Sequence, residues 1–207
     1  PENPPLLQFV SYDTADWAVI LTGQHTNHIP SYTQQNVTVQ WLGWQNINPP
    51  LSTPVLYING TIVDLSPWNF EYSDFVTGSV LLPTNSIVRI VLSIQDETVI
   101  DAPLKLVDPI QQFVMPDAFS PTTDTNISWV VAHDSPYQTL EIAWHTQTLH
   151  DFKCYFINPG DRDFLLAANS ISSLGVHTQY LFNLRQFNCV IKNRVAVYSQ
   201  SFSSKSY

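Results

Sequence analysis

The alternation of apolar and polar residues predicts an all-β chain of two tandem antiparallel β-sandwich domains. Three observations carry that expectation. Segments of period two, rich in β-branched and aromatic residues, recur at intervals of about ten residues. No segment shows a sustained 3.6-residue apolar stripe with caps. The chain also echoes itself: Val37-Thr38-Val39-Gln40-Trp41 and Leu140-Glu141-Ile142-Ala143-Trp144 share one pattern, their tryptophans 103 residues apart in a chain of 207. A second echo joins Leu56-Tyr57-Ile58-Asn59-Gly60 to Tyr155-Phe156-Ile157-Asn158-Pro159-Gly160. Such a spacing suits whole domains, because solenoid repeats run to only about 20 to 50 residues.

In the first half the pattern predicts strands at Leu6 to Val10, Trp17 to Thr22, Val37 to Leu42, Val55 to Asp64, Val76 to Leu82, Ser86 to Gln95 and Thr98 to Leu106. The second half adds Gln112 to Met115, Ile127 to Ala132, Thr139 to His145, Phe152 to Ile157, Asp163 to Ala168, Gln179 to Arg185 and Arg194 to Ser201. Pro49-Pro50, Ser66-Pro67, Leu82-Pro83, Ser120-Pro121, Ser135-Pro136 and Asn158-Pro159-Gly160 fall between strands, where turns belong. Fifteen prolines against six glycines stiffen the loops and blunt strand edges. Leu106-Val107-Asp108-Pro109-Ile110 has no Ser or Gly tract, so the expected domains are 1–108 and 109–207, held at a restricted angle.

Charged residues make up only 12% of the chain, about half the usual share, so Ser, Thr, Asn and Gln must cover the surface. A net charge of -9 repels nucleic acid and acidic bilayers at long range. No run of about 18 apolar residues and no basic-then-apolar leader is present, so neither a membrane-spanning segment nor a signal peptide is expected. Sequons at Asn36, Asn59 and Asn126 are glycosylation candidates, although about two or three arise without selection in so Ser- and Thr-rich a chain.

Alternation sets Val37, Val39 and Trp41 on one face, and Leu140, Ile142 and Trp144 on the matching face of the second half. A tryptophan so placed is first a core residue between two sheets. The pattern resembles the second strand of fibronectin type III domains, and Thr178-Gln179-Tyr180-Leu181-Phe182-Asn183-Leu184 resembles that family's sixth strand with its corner tyrosine. Extra strand candidates around Trp17 and Trp129 leave other immunoglobulin-like and cupredoxin-like sandwiches open. The resemblance implies that the third strand, with Cys154, lies beside the sixth, with Cys189 just past its end. A disulfide would then close a loop of about 35 residues and contribute roughly 3 to 4 kcal/mol; two buried free thiols are the alternative.

Catalytic and metal signatures are weak. Neither cysteine has the downstream His of a mononuclear copper site. His25 and His28 form a His-x-x-His without a helix or third ligand, and His133, His145 and His150 share a stretch with Asp134 and Asp151. Glu71, Asp74, Asp96, Glu97 and Asp101 lack the loop spacing of a calcium site. Asp161-Arg162-Asp163 reads as a locally paired turn. No cofactor and no metal are expected.

Trp44, Trp68, Phe70 and Tyr72, with Phe75 beside them, are the better functional candidates. Aromatics with acidic and amide neighbours stack on sugars or form protein hot spots, or else they close the open end of a sandwich. The leading expectation is a non-enzymatic extracellular or surface binding module that recognises a protein or a carbohydrate. A self-associating assembly protein, such as a filament subunit or a viral capsid or projection domain, is the alternative. A metal-dependent hydrolase using the 133–151 stretch is a distant third.

Overall fold

A computed structural model describes residues 17–24, 34–43, 55–63, 66–67, 76–94, 96–146, 149–171, 178–192 and 195–207, with backbone alone for strands 17–24, 34–43, 66–67 and 76–79. The predicted strand Leu6 to Val10 lies outside these residues, and the described ones form strands and turns without a helix. The first half contributes β1 (Trp17–Gln24), β2 (Gln34–Gly43), β3 (Val55–Ile58), β4 (Thr61–Val63), β5 (Ser66–Pro67), β6 (Val76–Pro83), β7 (Ile87–Ile94) and β8 (Glu97–Lys105). The second contributes β9 (Gln112–Val114), β10 (Thr125–Val130), β11 (Tyr137–His145), β12 (His150–Ile157), β13 (Asp163–Leu166), β14 (Gln179–Lys192) and β15 (Val195–Ser206).

One correction is local. The expected strand Val55 to Asp64 is a hairpin, because Asn59 and Gly60 take positive φ of 51° and 80°. That is the two-residue type I′ geometry which Asn-Gly favours, and it pairs Ile58 with Thr61.

The strands repeat one connectivity. In the first unit β1-β2-β6 faces the sheet β4-β3-β7-β8; in the second, β9-β10-β13 faces β12-β11-β14-β15. With the two-residue β5 at the edge of the first unit set aside, this three-against-four order is that of a fibronectin type III sandwich, and the chain is all-β as expected. The unit of repetition is nevertheless one strand out of phase with the sequence echo. Trp41 stands on β2, the second strand of its unit, whereas Trp144 stands on β11, the third of its own. By position Trp129 on β10 is the counterpart of Trp41, so the second core holds two tryptophans, Trp129 and Trp144, both nearly inaccessible. The second echo slips in the same way, from β3 to β12.

Two apolar clusters fill the sandwiches. Leu56, Ile58, Val88, Ile90, Leu92, Ile100 and Leu104 anchor the first; Ile127, Trp129, Leu140, Ile142, Trp144, Phe182 and Leu184 anchor the second. Each fully buried side chain of this size contributes about 1.5 to 3 kcal/mol. The burial of β7 alternates strand-fashion, with Val88, Ile90 and Leu92 inward and Ile87 69% exposed.

The two units are joined by more than covalent succession. β15 pairs antiparallel with β14 along its whole length, from Leu181↔Ser206 to Lys192↔Val195, and its first half also pairs in parallel with β1, Trp17↔Val195 through Thr22↔Gln200. The result is one eight-stranded sheet, ordered β12-β11-β14-β15-β1-β2-β6-β5. Val195 and Val197 belong to the first core, with Val190 of β14 packed against it, while Tyr180, Phe182 and Leu184 at the other end of β14 belong to the second.

The connection between the units is correspondingly tight. Leu106, Val107, Asp108 and Ile110 are buried, and the backbone N–H groups of Val107 and Ile110 each donate at 2.9 Å to a β15 hydroxyl, Ser199 and Ser201. Asp108 also meets His133 Nδ1 at 2.6 Å. We propose residue 108 as the covalent boundary; the packing and the sheet cross it.

Candidate functional site

Strand alternation gives the second unit's four-stranded face two different sides. Even-numbered residues of β11 and β14 point into the core; odd-numbered ones, with even-numbered residues of β12, point away from it. Register aligns the outer residues in rows: Phe156, Thr139, Arg185 and Phe202 form one, and Cys154, Glu141, Asn183 and Ser204 the next. A third runs Phe152, Ala143, Leu181 and Ser206. On this side Tyr137, Phe152, Phe156, Leu181 and Phe202 are 46%, 48%, 40%, 36% and 52% exposed. Five large apolar side chains on one sheet face are more than the scattered exposure of an ordinary surface. Phe187 lies flat under the rim, stacked on Tyr137 with ring centroids 5.1 Å apart.

An ion pair sits amid this apolar face. Arg185 Nη2 approaches Glu141 Oε2 at 3.3 Å, with the Glu141 side chain 10% and the Arg185 side chain 28% exposed. Glu141 Oε1 and Arg185 Nε are buried without a partner among the described residues, so the pair retains hydrogen-bonding capacity. Beside it, burial first and the Glu141 carboxylate second push the Cys154 thiol up to about 12, with Arg185 opposing them.

The opposite side closes around a buried amide. Gln138 Oε1 accepts from Trp129 Nε1 at 3.0 Å and from Gln186 Nε2 at 2.7 Å, while Gln138 Nε2 donates to the carbonyls of Asn158 and Pro159 at 2.7 and 2.9 Å. This network ties β10, β11, β14 and the turn after β12 into one end of the core.

The expected disulfide is absent: Cys154 and Cys189 are free thiols. Cys154 stands on β12, the fourth strand of its unit and not the third, and β11 lies between β12 and β14, so the strands that carry the two cysteines are not neighbours. Cys154 faces Glu141, which faces Asn183, six residues before Cys189. That offset alone is roughly 20 Å along the strand, against a limit of about 7 Å between bridged Cα atoms. Iodoacetamide at about pH 8 is therefore expected to label the native chain slowly, since burial raises both thiols, and to label both cysteines once the unreduced chain is unfolded. Mass spectrometry reads the count; an unfolded, unreduced chain that takes no label would overturn the assignment.

Trp44, Trp68, Phe70 and Tyr72 lie outside the described residues, as do His25, His28, Glu71, Asp74 and Phe75. Asn36 falls on β2, where the backbone alone is described. Asn59 is exposed at its turn, its Oδ1 accepting the Arg89 N–H at 2.8 Å, and Asn126 is exposed on β10. The histidines of the second half disperse. His133 pairs with Asp108, and His145 stacks on His150 with centroids 5.6 Å apart. Asp134 pairs with Arg162, and Arg162 also donates to the Pro159 carbonyl, so the Asp161-Arg162-Asp163 turn is locally bonded. Asp101 pairs with Arg89 at 2.6 Å. Among the described residues no three His, Cys, Asp or Glu side chains group as metal ligands, and no helix is long and apolar enough to cross a membrane.

No family model matches the chain, and no curated protein matches it in sequence. Among solved structures it is similar to a cytokine receptor complex, at 14% identity and a TM-score of 0.36, over 93% of this chain and 95% of that one. It is also similar to the FN1-FN3 domains of chicken CNTN1, at 12% identity and a TM-score of 0.30, over 94% of this chain and 63% of that one. Neither similarity assigns a function to this chain.

Proposed function

We propose that the chain is a non-enzymatic, extracellular or surface-exposed binding module that recognises a protein through the outer face of β12-β11-β14-β15. The observation that carries this reading is the set Tyr137, Phe152, Phe156, Leu181 and Phe202, exposed together around the Glu141–Arg185 pair. A partner segment with apolar side chains on both sides of a carboxylate complements it: the apolar groups cover Phe156 and Phe202, and the carboxylate meets the remaining donors of Arg185. The loop residues Trp44, Trp68, Phe70 and Tyr72 are a second proposed contact, toward protein or carbohydrate, and Asn36, Asn59 and Asn126 are proposed glycan acceptors.

Panning a random-peptide phage library against the chain tests the face directly. Enriched peptides are expected to carry an acidic residue between apolar ones and to lose at least about tenfold in affinity against Phe156→Ser/Phe202→Ser. Peptides that bind both forms equally sink the face. A glycan-array signal abolished by Trp68→Ala moves recognition to the aromatic loop instead.

A further inference from the structure

We infer that two copies of this chain pair edge to edge through β12, antiparallel about a twofold axis, so that their eight-stranded sheets run on as one. This rests on the reading of the second sandwich as an interaction module and names a second copy as an occupant of its edge.

β12 is the open end of the large sheet. It pairs with β11 without interruption from Gln138↔Ile157 to His145↔His150, and no described strand lies on its other side. The sheet's opposite end, β5, is two residues long and contains Pro67. β8, the other long edge, carries Pro103, and its Asp101 and Lys105 carbonyls accept from Lys192 and Asn188 of β14. β12 contains no proline and is exposed at His150, Asp151, Phe152 and Phe156. A free edge of that length invites a partner strand.

Its charges choose which one. Asp151 and Lys153 flank Phe152, so a strand without matching charges would leave an unpaired charge at each contact. Read antiparallel, Asp151-Phe152-Lys153 is its own complement. With Phe152 of one copy opposite Phe152 of the other, each Asp151 faces the other copy's Lys153. Asp151 forms no ion pair among the described residues, its Oδ1 accepting instead from the Phe152 N–H at 2.8 Å, and Lys153 Nζ donates to the Ser170 carbonyl, at 3.1 Å, while lying over the Tyr155 ring.

The backbone phase agrees. Thr146 N donates to Leu149 O at 2.9 Å across the β11–β12 turn. Hydrogen-bonded and non-bonded pairs alternate from there, so the N–H and C=O groups of His150, Phe152 and Cys154 point away from β11, toward the open edge. In the Phe152-centred register the Phe152 N–H exchanges the Asp151 carboxylate for the other copy's Phe152 carbonyl, which releases Asp151 toward Lys153, and His150 bonds to Cys154. Asp151 and Lys153 then fall in the non-bonded positions, where facing side chains are closest. The paired Phe152 rings would extend the outer apolar face across the twofold.

Light scattering on the full chain across a concentration series tests the pairing. The mass is expected to rise from 23.5 kDa toward twice that value. Asp151→Lys and Lys153→Asp each place two like-charge contacts in the interface and should weaken association by at least about tenfold. The double exchange Asp151→Lys/Lys153→Asp restores the complement and should restore the dimer. A wild type that stays at 23.5 kDa at every concentration overturns the inference. So does a double exchange no better than the single ones. Phe202→Ser, three strands from the edge, should leave the dimer intact while it weakens peptide binding, so the two readings can fail separately.

Discussion

Val197→Asp, in β15, is expected to unfold the first sandwich. Val197 is 1% exposed and packs in the cluster with Leu56, Val88, Ile90 and Leu104, all contributed by the first half. The substitution removes about 1.5 to 3 kcal/mol of apolar burial and places a carboxylate where ionisation costs several kcal/mol more. A total near 4 kcal/mol consumes much of the roughly 5 to 15 kcal/mol that holds an ordinary domain together. Hydrogen exchange locates the damage. Amides of β3 and β7 should lose protection together with those of β14 and β15, because the sheet and the β14–β15 hairpin are common to both units. Loss confined to β9 through β14 would mean that the first sandwich closes without β15.

The second large effect is expected at Gln138→Leu. The side chain is fully buried and serves two donors and two close carbonyl acceptors at once. Leucine fits the volume but leaves Trp129 Nε1, Gln186 Nε2 and the carbonyls of Asn158 and Pro159 without their partner. An unsatisfied buried group costs about 1 to 3 kcal/mol, so a loss of about 3 to 5 kcal/mol is expected from the denaturant midpoint at unchanged slope. Trp129→Phe on top should cost less than it does alone, since its indole donor has already lost its acceptor. A Gln138→Leu loss below about 1 kcal/mol would show that water or relaxation replaces the network.

The strand pattern was legible for a simple reason. Where one face meets a core and the other meets solvent, as on β7, alternation records both environments. Phase between the repeats was not legible: apolar-x-apolar-x-Trp marks any strand whose alternate residues enter a sandwich, so β2 and β11 satisfied it equally. The Asn59-Gly60 turn was visible and was overrun by the β-branched residues on both sides of it. Phe152 and Phe156 were legible as strand residues and not as a surface, since aromatics facing solvent and core are identical in sequence, and Phe202 lies one residue past the Ser201 end expected for the last strand, which runs on to Ser206. The signal available there was a strand apolar on both sides, Phe152 and Phe156 outward with Tyr155 and Ile157 inward. The misplaced disulfide followed from the same slip of one strand. Nothing local announces the β1–β15 pairing, because parallel neighbours distant in sequence share no turn to mark them.

That pairing sets an order of events during synthesis. Among the described strands β1 leaves the ribosome first and its partner β15 last, so the first sandwich must wait with one edge of β1 uncovered while the second is being made. Non-local contacts of this kind slow folding and prolong the exposure of unpaired edges. The first sandwich is therefore closed by a strand made after the second is nearly complete, and its vulnerable period is the interval between translation of Gln24 and of Val195.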